Sequence, residues 1–172
     1  TLLPAPRPTL NSGSSKTILS SKVNISGNFQ ANGHGIPSQK NWSIRGRALV
    51  TDVPITYLGY VNRDTGVIEE PGHPLDGTPI KDTILIYPKG SGSTVAPFVL
   101  MGLIYTGRGP MGIINSDVCP LTLPAASLLG TPYAHSFDVD PIMNINSGDL
   151  VQMQLSDRKT TIKVISRNGE ER

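Results

Sequence analysis

The sequence predicts a mixed α/β domain with a partly parallel sheet and added antiparallel strands. Three observations carry this expectation. Ile84-Leu85-Ile86-Tyr87 is a short apolar run bounded by turn residues, the pattern of a buried strand. Pro97 to Thr106 fits a helix, because proline is tolerated in the first helical turn and Gly107 suits the position just past the end. Leu150-Val151-Gln152-Met153-Gln154-Leu155 and Thr161-Ile162-Lys163-Val164-Ile165 alternate in polarity around Ser156-Asp157-Arg158-Lys159, which predicts a hairpin.

Taken in chain order, residues 1–40 differ from the rest. Thr1 to Pro8 is proline-rich, Asn11 to Ser15 is rich in serine and glycine, and Asn32-Gly33-His34-Gly35 is turn-forming. Only Thr17-Ile18-Leu19 and Val23-Asn24-Ile25 offer strand-like pieces there. This segment reads as an extended arm or linker, and residues 41–172 as the folded body. Within the body, Ser43 to Val50 reads as a strand, Pro54 breaks it, and Ile55-Thr56-Tyr57-Leu58 follows. Asn62 to Gly66 is a turn, Val67-Ile68 resumes extended chain, and Pro71-Gly72-His73-Pro74 forbids regular structure. Gly112 to Asn115 is the next strand after the helix. Leu123 to Leu129 is a short helix stopped by Gly130, and Tyr133-Ala134-His135 is a third strand. The middle of the chain therefore has β-α-β-α-β character, which favours parallel pairing.

The 172 residues suit one domain with a real core. Net charge is +2, basic residues are scattered and aromatics are 5%, a composition without the basic stripe of a nucleic-acid binder. Charged residues make up 16%, a sparse surface that suits partial cover by a partner. The lone cysteine, Cys119, excludes a disulfide within the chain and reads as a buried structural thiol. His34, His73 and His135 show no ligand spacing, so the chain is expected to build no metal site of its own. No apolar run reaches membrane-spanning length, and no signal peptide is visible, which sets the expectation of a cytoplasmic protein.

The stretch of greatest chemical interest is Gly90-Ser91-Gly92-Ser93-Thr94, between the apolar strand and the helix. A strand, a glycine-rich turn and a helix start bring a serine hydroxyl and free backbone N–H groups to one point. The structural alternative is that Ser93 or Thr94 only caps the helix, accepting from an N–H near Ala96. The functional alternative needs stabilisation of the serine oxygen, which backbone N–H groups at a helix start supply. The P-loop lysine, the dinucleotide fingerprint and the Gly-x-Ser-x-Gly elbow are all absent here. A serine hydrolase would need His73 or His135 as base. His73 otherwise braces its own loop, Lys89 is otherwise solvated, and Asp52 and Asp117 are otherwise caps or surface carboxylates.

An ordered set of pieces resembles a known family. Gly46-Arg47-Ala48-Leu49-Val50 leads to Val53-Pro54-Ile55. Asp64-Thr65-Gly66-Val67-Ile68 precedes His73-Pro74-Leu75-Asp76-Gly77. Then come Ile84-Leu85-Ile86-Tyr87-Pro88, Gly92-Ser93-Thr94 and Gly107-Arg108-Gly109-Pro110. From about Gly46 to about Pro132 this is similar to the aconitase X swivel domain, or small subunit. The resemblance implies a swivelling β/β/α fold and a hydro-lyase that dehydrates a hydroxy acid. It implies a large catalytic subunit or fused domain holding iron or an iron–sulfur cluster, with none bound by this chain. Ser93 matches the family's serine and is expected to abstract the proton α to a carboxylate. Ser91, Gly92, Thr94 and His73 are the expected substrate contacts. The preferred substrate is cis-3-hydroxy-L-proline, with mevalonate 5-phosphate as the alternative. Tyr57-Leu58-Gly59-Tyr60 and Asn62-Arg63 depart from the family pattern and keep a non-catalytic swivel-fold binding module open as another class.

Overall fold

A computed structural model of the chain describes residues 29–169. Seven strands close into a barrel in the order β1-β5-β4-β3-β2-β6-β7. They are β1 (Gln30–Gly35), β2 (Trp42–Val50), β3 (Ile84–Ile86), β4 (Gly112–Asn115), β5 (Tyr133–His135), β6 (Leu150–Ser156) and β7 (Lys159–Ser166). β2, β3, β4 and β5 pair in parallel, whereas β6, β7 and β1 complete the circuit through antiparallel ladders. The helical segments are α1 (Tyr57–Tyr60, one irregular turn), α2 (Ala96–Tyr105), α3 (Leu123–Leu129) and α4 (Pro141–Asn144).

The period-2 alternation of each strand divides the apolar residues into two cores. Ile84, Ile86, Ile114, Ala134, Val151, Met153 and Ile162 fill the barrel lumen. Leu85, Tyr87, Ile113 and Tyr133 point outward and are covered by Ala96, Val99, Leu100 and Leu103 of α2 and by Ala125 and Ala126 of α3. Both faces of β3 and β4 are thus buried, which is why these strands read as unbroken apolar runs.

The central elements stand where the residue pattern places them. α3 ends at Gly130, which adopts φ 69°, and α2 ends at Thr106 with Gly107 at φ 77°. The closing hairpin turns on Asp157 and Arg158, both at positive φ (50° and 71°), the geometry of a type I′ turn.

The N-terminal expectation needs correction. Asn32-Gly33-His34-Gly35 does not turn, and β1 is a strand inside the segment 1–40 expected to be an arm. It pairs with β7 from Gln30↔Lys163 to His34↔Lys159 and with β5 at His34↔His135. The glycines serve close packing. A Cβ on Gly33 would lie 2.8 Å from the His135 carbonyl oxygen, and one on Gly35 would lie 2.8 Å from Leu155. The strand-like pieces at 17–19 and 23–25 lie outside the described residues. No helix among the described residues is long and apolar enough to cross a membrane.

Candidate functional site

The parallel strands β2 to β5 all run the same way, so their C-terminal ends share one rim of the barrel. Loops leaving that rim are where ligands of such sheets are usually held. The glycine-serine turn is one of them. It leaves β3 through Tyr87-Pro88-Lys89 and enters α2 at Ala96.

Its root is held from two sides. On one side Ile55 N–H donates to the Lys89 carbonyl at 3.2 Å, Ser91 N–H donates to the Ile55 carbonyl at 3.0 Å, and the Thr56 and Ser91 hydroxyls share a 2.6 Å hydrogen bond. On the other side Ser116 N–H donates to the Pro88 carbonyl at 3.1 Å, and Gly90 N–H donates to the Cys119 sulfur at 3.3 Å. Gly92, at φ 95°, lets the chain fold back over this base.

Ser93 is not the N-cap of α2, since the helix starts only after Val95 and no side chain caps it. The Ser93 oxygen accepts instead from Val95 N–H at 3.2 Å, and the Ser93 carbonyl accepts from Ala96 N–H at 2.9 Å. The N–H groups of Gly92, Ser93 and Thr94 have no acceptor among the described residues. A half-exposed hydroxyl, a backbone donor already on its oxygen and three further N–H groups together suit an anionic oxygen.

Ser91, Gly92, Ser93 and Thr94 share one turn, and His73 is linked to its root only through Pro54 and Ile55. His73 is buried, its Nδ1 accepting from Leu75 N–H at 3.0 Å and its Nε2 lying 3.1 Å from the Pro54 carbonyl. With Nδ1 accepting, Nε2–H donates to the Pro54 carbonyl and fixes the residue before Ile55. His135 bonds to the Ser136 hydroxyl at 2.8 Å. Neither imidazole is hydrogen-bonded to Ser93, and the triad of a serine hydrolase is not assembled. Burial and the neighbouring His34 hold His135 below its usual range, against an opposing pull from Asp117. Lys89, Asp52 and Asp117 are exposed.

Residue patterning did not reveal a buried polar cluster beneath the turn. The hydroxyls of Tyr57 and Tyr87 meet, Tyr87 also meets Thr122 at 3.2 Å, and Tyr133 donates to Asn115 Oδ1 at 2.8 Å. Burial pushes the Tyr87 hydroxyl up to about 12 and raises Tyr57 and Tyr133 as well, so all three stay protonated phenols. The hint in the sequence was Tyr87 at the end of the apolar run 84–87, where a buried hydroxyl must find a partner.

A cavity of about 300 Å³ opens along α2 between Val95, Phe98, Gly102 and Thr106, with Arg63 at its edge. Phe98 and Tyr105 of α2 are 68% and 84% exposed. Among the described residues no three His, Cys, Asp or Glu side chains group to hold a metal ion, and the Cys119 sulfur is occupied by Gly90.

Comparison with known proteins agrees with this architecture. The model of the aconitase X swivel domain family matches residues 37–164. The phosphomevalonate dehydratase small subunit of Methanocella arvoryzae is 38% identical over 106 residues, covering 62% of this chain and 80% of that protein. Its counterpart in Methanosarcina acetivorans is 34% identical over 112 residues, covering 65% and 78%. The fold of Thermococcus kodakaraensis aconitase X superposes with a TM-score of 0.68 at 23% identity, over 77% of this chain and 97% of that one. A UPF0107 protein solved by solution NMR gives 0.67 at 26% identity, over 80% and 99%. With the family pattern matched across most of its length and the same barrel beneath it, this chain belongs to the aconitase X swivel domain family.

Proposed function

We propose that this chain is the small subunit of a phosphomevalonate dehydratase and that Ser93 is its proton-abstracting group. The relatives reported above are named for phosphomevalonate, and this substrate replaces cis-3-hydroxy-L-proline. The observation that carries the reading is the Ser93 turn, with its oxygen on Val95 N–H and the N–H groups of Gly92, Ser93 and Thr94 left open.

The chemistry follows from that geometry. Dehydration of a β-hydroxy acid breaks the C–H bond α to the carboxylate, and the proton goes to a base. The electron pair forms the new double bond as the C–OH bond breaks, and water leaves. A neutral serine is a weak base. Donors aimed at its oxygen favour the alkoxide, and Val95 N–H is such a donor. The open N–H groups suit an oxygen of the anionic substrate. His73 acts through Pro54 to hold the Ile55–Lys89 contact and is a positioning residue here, not a substrate contact.

The reaction also needs what this chain does not supply. A large subunit is proposed to carry the iron or iron–sulfur centre and to close over the Ser93 turn. The exposed apolar residues Val95 and Phe98 beside the turn suit burial against such a partner.

The test is to co-purify the full chain with the large subunit and follow water loss from phosphomevalonate by proton NMR. A vinyl proton is expected with both subunits together and with neither alone. Assembly without turnover would overturn the catalytic reading in favour of a binding module.

A further inference from the structure

We infer that Tyr133 and Cys119 are positioning residues for Ser93, acting through a buried relay that sets the height and direction of the turn. The inference rests on the reading of Ser93 given above. Tyr133 lies on β5, two strands away from the β3 end that launches the turn. Its hydroxyl donates to Asn115 Oδ1 at 2.8 Å and accepts from Cys119 N–H at 3.1 Å. Each partner then reaches the root of the turn. Asn115 Nδ2 donates to the Tyr87 carbonyl at 3.2 Å, and the Cys119 sulfur accepts from Gly90 N–H at 3.3 Å.

One phenol thus governs two backbone atoms, Tyr87 O and Gly90 N, that bracket Pro88 and Lys89. Ser93 follows three residues later. Every side chain in the relay is buried, with Tyr133 at 0%, Asn115 at 1% and Cys119 at 4% exposure, so water cannot replace a missing partner. The turn is also pressed against this support. A Cβ on Gly90 would lie 3.3 Å from Leu121 Cβ and 3.3 Å from Thr122 Oγ1. A shift of the 116–122 loop is therefore passed to Gly90 with little slack. Displacements of about 1 Å at a reacting group are enough to cost a large factor in rate.

The variants are Tyr133→Phe, Cys119→Ala and Cys119→Ser, made in the full chain and assayed with the large subunit. Tyr133→Phe keeps the ring and deletes the hydroxyl. Cys119→Ala removes the acceptor for Gly90, and Cys119→Ser restores one. We expect kcat to fall about tenfold in Tyr133→Phe and Cys119→Ala, with KM within about twofold, and to recover in Cys119→Ser. Ile162→Val, a truncation in the barrel lumen away from the turn, controls for lost stability and keeps kcat. A second readout needs no activity. Amide exchange at Gly90 should quicken, and the Gly92 and Ser93 resonances should move, in the same two variants and return in Cys119→Ser.

Unchanged kcat and unmoved resonances in Cys119→Ala overturn the relay, and so does a loss of kcat that Ile162→Val reproduces. If Tyr133→Phe does not fold, the Cys119 pair decides alone. If the wild-type complex lacks dehydratase activity, the reading of Ser93 fails, while the resonances still decide whether the relay sets the turn.

Discussion

Replacing Ser93 with alanine separates catalysis from stability, because the structure makes the two effects very unequal. In the folded chain the Ser93 hydroxyl makes a single exposed hydrogen bond, accepting from Val95 N–H at 3.2 Å. Losing such a bond costs about 0.5–1 kcal/mol. For a chain of this size that lowers Tm by about 1–4 °C. Removing a group that takes a proton in the transition state costs about 10²–10⁴-fold in rate. At about 1.4 kcal/mol per decade this is about 3–5 kcal/mol of barrier. The barrier effect should exceed the stability effect severalfold. The assay is turnover of phosphomevalonate, the proposed substrate, by the chain assembled with the proposed large subunit, with Tm measured by calorimetry on the same preparation. Exchange of the α-proton with deuterated solvent, followed by NMR, isolates the proton-transfer step. We expect Ser93→Ala to assemble normally, to lose at least a hundredfold in kcat and to stop α-proton exchange. A variant with kcat within threefold of wild type and intact exchange would refute the role of this hydroxyl.

Two further predictions concern stability. Gly66 adopts φ 73°, and a Cβ there would lie 2.5 Å from the Arg108 carbonyl oxygen, so Gly66→Ala should cost about 2–4 kcal/mol and lower Tm by about 5–15 °C. Gly72→Ala, at φ 84° but with open space around its Cβ, should cost about 1 kcal/mol; equal losses would remove the steric part of the argument. His135 is held below its ordinary value of 6.5 by burial and by His34. Between the folded and unfolded values the unfolded chain binds more protons, so stability should rise with pH up to about 6.5 and fall as pH drops below it. His135→Gln should flatten that part of a denaturation-versus-pH curve, and an unchanged slope would assign the loss elsewhere.

Local chemistry made much of the fold legible. Gly130 and Gly107 marked the ends of α3 and α2 because a left-handed residue there needs no Cβ. The apolar runs at 84–87 and 112–115 marked central strands, since burial on both faces leaves no polar positions. The Ser93 turn was visible for the same kind of reason, as glycines between a strand and a helix. Other features were not local. β1 reads as a turn because its glycines look like chain-bending residues. They are small because His135, Phe137, Leu155 and Thr160, all distant in sequence, crowd against them. His73 reads in the sequence either as a brace of its own loop or as a substrate contact, and only the fold shows its two nitrogens bonded to Leu75 and Pro54.

What the residue string by itself determined was most of the pieces: the strands β2 to β7, the helices α2 and α3, and which serine stands on a glycine turn. These depend on backbone preferences and period, which act over a few neighbouring residues. Only the tertiary structure decided that the sheet closes, that β1 completes it, and that Tyr133, Asn115 and Cys119 converge under Gly90. The physical reason is that a buried polar group takes whichever partner the packing brings within 3 Å or so. Along the chain those partners lie 14 to 29 residues apart, beyond the reach of any local preference.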